Sequence, residues 1–337
     1  MSIKKSLAAG VTAASVVLLS ACAVTGGSDS SAEGEEQIQI AYLTASSANT
    51  WLGASGEAMR EEAEKAGVKI VEFDAKFEPG ASIRQIEDVI ASGQYKGIVL
   101  ASADGKAAAP AMQEAMDAGL KIVVLNQVIG DRLDTADPQV EGVSASILQP
   151  PQITGERLGK LTVQACEGIS PCEVVYMFGA KGTPYDTALR TGFDSQISAV
   201  PGITVVAEAD GGFLGTDEPM KATQDVLQAH PDFDVLAGTG DQQIRGALLA
   251  LSDAGKTGVK TIGVGASEPA LEAIAEGTWW GDVAGAPADE GRAAFKALMA
   301  AIEDGTVTGG VDVTSALPAD GLITRENVDE FTAQWAG

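Results

Sequence analysis

This sequence predicts two doubly wound α/β lobes, each a parallel sheet covered by helices, joined by a hinge with a ligand cleft between them. Three observations lead there. About 300 of the 337 residues follow a polar stretch that ends near Gln37, which is long for one core and suited to two. Within them, short β-branched runs alternate with Ala-rich amphipathic stretches across connections of a few residues, the pattern of parallel strands joined by crossover helices. Beyond residue 147 the same pattern starts again, so there are two sets of strands and helices.

Residues 38–44 (IQIAYLT) read as the first strand, and 54–66 as a helix that Gly67 stops. A strand over 68–73 leads to a helix over 79–91, where Ile83, Ile86 and Ile90 fall on one face. Then come a strand at 97–101, a helix at 107–118 stopped by Gly119, and strands at 122–125 and 142–147. The second set runs helix 151–166, strand 174–178, helix 185–198, strand 203–209, helix 218–229 and strand 235–237. It continues with helix 244–254, strand 260–264, helix 269–276, strand 281–284 and a long helix over 289–303. Residues 317–337 are broken by Pro318 and Gly321; a short helix is expected over 327–335, with Trp335 packed back on a lobe and no function assigned.

Ahead of this body, Lys4 and Lys5 precede an apolar run over 7–20. A membrane span needs roughly 20 apolar residues, so this run suits a secretory signal instead. Leu19-Ser20-Ala21-Cys22 resembles the bacterial lipobox. That resemblance implies that residues 1–21 are removed and that Cys22 carries a lipid as the mature N-terminus. Residues 22–37, rich in Gly, Ser and acids, bury too little to offset their ordering entropy and read as a flexible tether.

The formal charge of −25 argues against nucleic acid and anionic headgroups as partners. With one cysteine spent on the lipid, Cys166 and Cys172 remain, six apart. Outside the cytoplasm such a pair reads as a disulfide rather than two free thiols. A metal site would need more ligands than the two cysteines, and no histidine is near. The single histidine, His230, stands before Pro231 and reads as a helix C-terminal residue.

Ligands of open α/β sheets bind beyond the carboxyl ends of the strands. The segments to inspect are therefore 44–52, 101–106, 126–130, 179–186, 210–217, 239–243, 265–268 and 285–289.

Several local patterns, in order along the chain, carry a family resemblance. They are Ser47-Ala48-Asn49-Thr50-Trp51, the run from Ala118 to Asn126-Gln127, Gly182-Thr183-Pro184 with Arg190-Thr191-Gly192-Phe193, and Pro231-Asp232-Phe233-Asp234 followed by Gly240-Asp241 and Gly246-Ala247. Together they resemble the type I periplasmic binding proteins, in the ribose-binding-like, sugar-importing branch. The resemblance implies chain crossings near Ser146, Gly285 and Asp312. The lobes would then be 38–146 with 286–312 and 147–285 with 313–337, closing by hinge motion over one ligand.

Residue by residue, the resemblance places Asn49 and Trp51 at the ligand, with Trp51 stacking on a sugar face. The local alternative is that Asn49 or Thr50 caps a helix and Trp51 is core. Asn126 and Gln127 stand where that branch has an Asp-Arg pair, and their amides read hydroxyls without charge. Tyr185, Asp186 and Arg190 lie where the family supplies an Arg; Asp186 is otherwise an N-cap and Arg190 an ion-pair partner. Phe213 sits near a family aromatic. Asp241 and Gln242 are further ligand candidates, Asp241 alternatively a helix cap. Two departures stand out. An Asp of the family is Gly265 here and a Gln is Gly285, so the site differs from a ribose site, and Glu268 or Ser267 is the candidate substitute. A ligand with a different hydroxyl pattern, or a larger one using the glycine space, is expected.

Catalysis would need a nucleophile–base pair or a metal cluster, and neither is legible; no phosphate-binding loop opens a helix after a strand. The expectation is a non-enzyme without cofactor or metal, monomeric, exported and lipid-anchored on the outer face of the bacterial cell membrane. Its ligand would be a small polar molecule, a sugar or polyol, and its partners ABC permease subunits. The alternative is a lipoprotein that presents a signal molecule to a sensor or chemoreceptor.

Overall fold

The computed structural model describes residues 37–337. The signal segment 1–21, Cys22 and the tether up to residue 36 lie outside the described residues.

Among the described residues, twelve strands form two six-stranded sheets. The first holds β1 (Gln39–Thr44), β2 (Lys69–Asp74), β3 (Gly97–Ala101), β4 (Lys121–Leu125), β5 (Ala145–Ile147) and β11 (Gly309–Val311), in the order β11-β5-β4-β3-β1-β2. The second holds β6 (Cys172–Phe178), β7 (Ile203–Asp210), β8 (Val235–Gly238), β9 (Lys260–Gly265), β10 (Gly281–Ala284) and β12 (Leu322–Thr324), in the order β12-β10-β9-β8-β6-β7. All pairings are parallel except that of β12, which runs antiparallel on β10 with Gly281 opposite Thr324. Sheet membership changes between β5 and β6, between β10 and β11, and between β11 and β12.

Both faces of each sheet are covered, which is why the central strands read as unbroken apolar runs. Ile40 and Tyr42 of β1 point to one face, against Met59 of α1 (Thr50–Lys65) and Leu298 of α9 (Pro287–Glu303). Ala41 and Leu43 point to the other, against Ile86 of α2 (Ala81–Ser92) and Met112 of α3 (Ala109–Asp117). This is the two-residue period of a strand set between two helical layers. The second sheet repeats the plan. Val174 and Tyr176 meet Leu158 and Leu161 of α4 (Pro151–Ala165) and Phe193 of α5 (Pro184–Ile197). Val175 and Met177 meet Val226 of α6 (Asp217–Ala229), Ile244 and Leu251 of α7 (Asp241–Asp253) and Ile274 of α8 (Glu268–Glu276). Fully burying one such aliphatic side chain contributes about 1.5–3 kcal/mol.

Cys166 closes α4 and is disulfide-bonded to Cys172, the first residue of β6, with Cα atoms 5.7 Å apart. His230 is the C-cap residue of α6.

The helix expected over 327–335 is absent. β12 (Leu322–Thr324) ends just before the segment, which holds one 3₁₀ turn, Val328–Glu330. Asn327 explains the break. Its Oδ1 accepts from the Thr324 N–H at 2.8 Å and its Nδ2 donates to the Leu322 carbonyl at 2.9 Å, so it ties back the strand end instead of continuing a helix. A helix this short is marginal without packing support.

Candidate ligand-binding cleft

Loops following β1, β3, β4, β6, β7 and β8 converge on a cavity of about 140 Å³. The cavity lies at the carboxyl ends of both sheets, as the crevice rule requires. Of the ligand residues expected from sequence, Asn49, Trp51, Asn126, Gln127, Tyr185, Phe213 and Gln242 line it; Asp186, Arg190, Asp241 and Glu268 do not.

Asn49 has two tasks. It is the N-cap of α1, its Oδ1 accepting from the Leu52 N–H at 3.0 Å. Its Nδ2 donates across the cleft to the Phe213 carbonyl at 3.3 Å. A second bond crosses nearby, Gln242 Nε2 to Thr50 Oγ1 at 3.0 Å. Trp51, in the first turn of α1, is half-buried and donates its indole N–H to Glu290 Oε2 at 2.9 Å. Glu290 is fully buried in the first turn of α9. Burial pushes its carboxyl up to about 8, against the opposing pull of the Trp51 indole and the Asn126 amide.

Asn126 follows β4 in the left-handed region, φ 63°, which Asn tolerates better than most residues. Its backbone N–H donates to the Ile147 carbonyl at 2.9 Å and its Oδ1 accepts from Gln127 Nε2 at 2.8 Å, so the two amides form one polar corner. On the second lobe, Thr183 is the N-cap of α5 and sets Tyr185 at the wall. Phe213 lies over Gly179, where a Cβ would come within 1.9 Å of its ring.

Of the four residues away from the wall, Asp186 and Asp241 hold loops that form it. Asp186, fully buried at the start of α5, accepts from the Ala180 N–H and so ties the β6–α5 loop; burial raises its carboxyl to about 6, opposed by the Ala180 and Gly179 amides. Arg190 bonds Asp194 at 2.8 Å and Glu208 at 2.5 Å and lies 4.9 Å over the Tyr176 ring, pointing away from the cleft. Asp241 does not cap its own helix. It accepts from the Ser267 N–H at 2.7 Å, while Asp282 accepts from the Ala266 N–H at 3.2 Å. The two buried carboxyls meet over Gly263 and hold the turn between β9 and α8, in which Ala266 is left-handed. Burial raises both, and the charge of Asp241 raises Asp282 further. Glu268 is exposed at the start of α8, and only its backbone N–H is engaged, by the Trp335 carbonyl at 3.0 Å.

The glycine space is also taken. A Cβ on Gly285 would come within 2.3 Å of the Trp51 ring, and one on Gly265 within 2.6 Å of the Trp335 ring. Room for a larger ligand at those positions is therefore closed by the two indoles.

Sequence reasoning missed Phe77, Ser102, Gln149, Thr183, Thr239 and Trp335 on the wall. Ser102, Thr183 and Thr239 sit in loops already marked by the strand-end rule, and picking residues within them needed coordinates. Phe77 follows β2 with φ 55° and is 39% exposed; Gln149 lies between β5 and α4. Nothing in the order of residues pointed to Trp335. Among the described residues, no group of three or more His, Cys, Asp or Glu could hold a metal ion. None of their helices is long and apolar enough to cross a membrane.

Comparison with known proteins agrees with this architecture. Residues 40–306 match the family described as periplasmic binding protein domain. The ribose import binding protein RbsB of Salmonella typhimurium is 25% identical over 77% of this chain and 82% of its own length. The xylitol-binding protein of Mycolicibacterium smegmatis is 23% identical over 81% and 73%. The crystal structure of a galactofuranose binding protein superposes with a TM-score of 0.76 at 21% identity, covering 87% of this chain and 96% of that one. The chain thus belongs to the type I periplasmic binding proteins, in their ribose-binding-like group, and is a substrate-binding protein rather than an enzyme.

Proposed function

We propose that this protein is the extracytoplasmic solute-binding component of an ABC importer and that it captures a small neutral sugar or polyol by closure of its two lobes. The observation that carries this reading is the chemistry of the wall. Amides (Asn49, Asn126, Gln127, Gln149, Gln242), hydroxyls (Ser102, Thr183, Thr239, Tyr185) and aromatic rings (Trp51, Phe77, Phe213, Trp335) line the cavity, and no Asp, Glu, Lys or Arg does. Amides both donate and accept, as a hydroxyl ligand requires. Rings offer an apolar surface to sugar C–H faces. An ionic ligand would face no partner charge. The relatives named for ribose, xylitol and galactofuranose support the same class.

The two hydrogen bonds across the cleft, from Asn49 and Gln242, support a closing motion that shuts the lobes over the ligand. Export and anchoring follow the lipobox reading of Cys22, with residues 22–37 as the tether to the membrane. A Cys22→Ala variant then leaves the membrane fraction, and one that stays there refutes the anchor.

The function is tested by thermal-shift screening of the protein against neutral sugars and polyols, amino acids and nucleosides. A ligand that binds only the folded state raises the melting temperature with the logarithm of its saturation. A shift with a sugar or polyol and none with charged metabolites is expected. A shift with a charged metabolite alone refutes the reading.

A further inference from the structure

Residues 307–337 lie beyond the part of the chain that matches the family. They make β11 and β12 and then return to the cavity, and the last residues before Gly337 are bonded to both lobes. Gln334 pairs twice with Asp289 at the start of α9, which packs on the first sheet: Nε2 donates to Oδ2 at 2.6 Å, and the Asp289 N–H donates to Oε1 at 3.0 Å. Trp335 is held by the second sheet, its indole N–H donating to the Gly265 carbonyl at 2.8 Å and its carbonyl accepting from the Glu268 N–H at 3.0 Å. Trp335 is 7% exposed and lines the cavity. It stands edge-on to Trp51, with centroids 5.5 Å apart. Trp335 fills the room beside Gly265 and Trp51 the room beside Gly285. One indole comes from the start of the fold and the other from its end, and together they make one apolar corner of the cavity. The Asn126–Gln127 amides form a polar wall of the same cavity.

We propose that Trp335 is a ligand-contacting, specificity-determining residue, and that the Trp51–Trp335 corner selects a neutral carbohydrate with a hydroxyl-poor edge, of the deoxysugar kind. The inference rests on the carbohydrate reading above. Indoles in that corner offer no acceptor, and their N–H donors are already spent on Glu290 and the Gly265 carbonyl. A hydroxyl pointed there loses its hydrogen bonds to water and gains none, whereas a C–H or methyl edge gains contact. The other edge of the same ligand meets the amides.

The test is calorimetric titration of the full-length protein with matched pairs: D-ribose and 2-deoxy-D-ribose, and D-galactose and D-fucose, with xylitol added. Tighter binding of the deoxy member of a pair is expected, by tenfold or more. Trp335→Ala weakens that ligand by at least tenfold and removes the preference. Trp335→Phe keeps most of both, and Gln334→Ala, which loosens the strap and leaves the ring intact, gives an intermediate loss. A readout that a purely structural role would not move is emission. In Trp51→Phe the ligand still changes tryptophan fluorescence, and in the Trp51→Phe/Trp335→Phe double variant it does not. Wild-type binding with unchanged affinity and preference in a folded Trp335→Ala protein overturns the inference and leaves the carbohydrate reading standing. So does a Trp335→Ala protein that gains ligands the wild type rejects, which would make the ring a plug. Should no sugar or polyol bind either protein, both readings fall.

Discussion

The side chains that face the cavity are amides, hydroxyls, aromatic rings and aliphatic groups, whereas those one layer behind it include Asp186, Asp241, Asp282 and Glu290, all fully buried. The first group is neutral and exposed to whatever enters. The second accepts from the Ala180, Ser267 and Ala266 backbone N–H groups and from the Trp51 indole, and so fixes the loops and the ring that the first group depends on. A buried carboxyl is costly when charged, and burial answers by raising its pKa. In a chain of formal charge −25, acids are therefore not excluded from the interior; they are kept off the ligand surface and used as acceptors for strand-end turns.

The difference between the layers can be broken by experiment. The largest effect is expected at Glu290. Its carboxyl is held at about 8 in the fold against an ordinary 4.5. Its contribution is complete below pH 4.5 and is lost as pH rises through the folded value, a change on the order of 4 kcal/mol. Urea unfolding of the wild type at pH 5 and pH 8.5 should show that loss, and Glu290→Gln, neutral throughout, should show a much smaller one. Equal pH slopes would mean an ionised acid behind Trp51. Next is Asp241→Ala, expected to cost about 2–3 kcal/mol of stability by stripping the Ser267 N–H of its acceptor, with ligand affinity of the folded protein changed less than threefold. A large affinity loss at full stability would move Asp241 to the ligand surface. The smallest is Trp51→Ala, expected to weaken ligand binding by about 1–2 kcal/mol through lost stacking. Unchanged affinity there, with the fold intact, would remove the aromatic ring from the readers.

Much of the site's position was legible beforehand. The loops at strand ends were marked by one topological rule, and Asn49, Trp51, Asn126, Gln127, Tyr185, Phe213 and Gln242 do meet at one cavity. Of the residues that do not meet it, Arg190 lies beyond the marked segment, a turn further along α5, and Glu268 is exposed at the start of α8. Asp186 and Asp241 lie within the right segments, yet a helix turns its successive residues through about 100°. One residue of a first turn therefore faces the cleft while its neighbour faces the loop behind. Tyr185 and Asp186 divide in this way, as do Gln242 and Asp241.

Local periodicity determined the strands, the helices and their alternation, because strand and helix burial repeat every 2 and 3.6 residues and need no knowledge of distant partners. It also determined the crevice, since parallel α/β order puts all carboxyl strand ends on one side. What only the tertiary structure decided is contact between residues far apart in the chain. Trp51 and Trp335 meet edge to edge, Glu290 takes the Trp51 indole N–H, and Gln334 fastens the last residues to Asp289. Such pairings arise from packing against already folded sheets, so their energy belongs to the assembled core and leaves no period in the sequence.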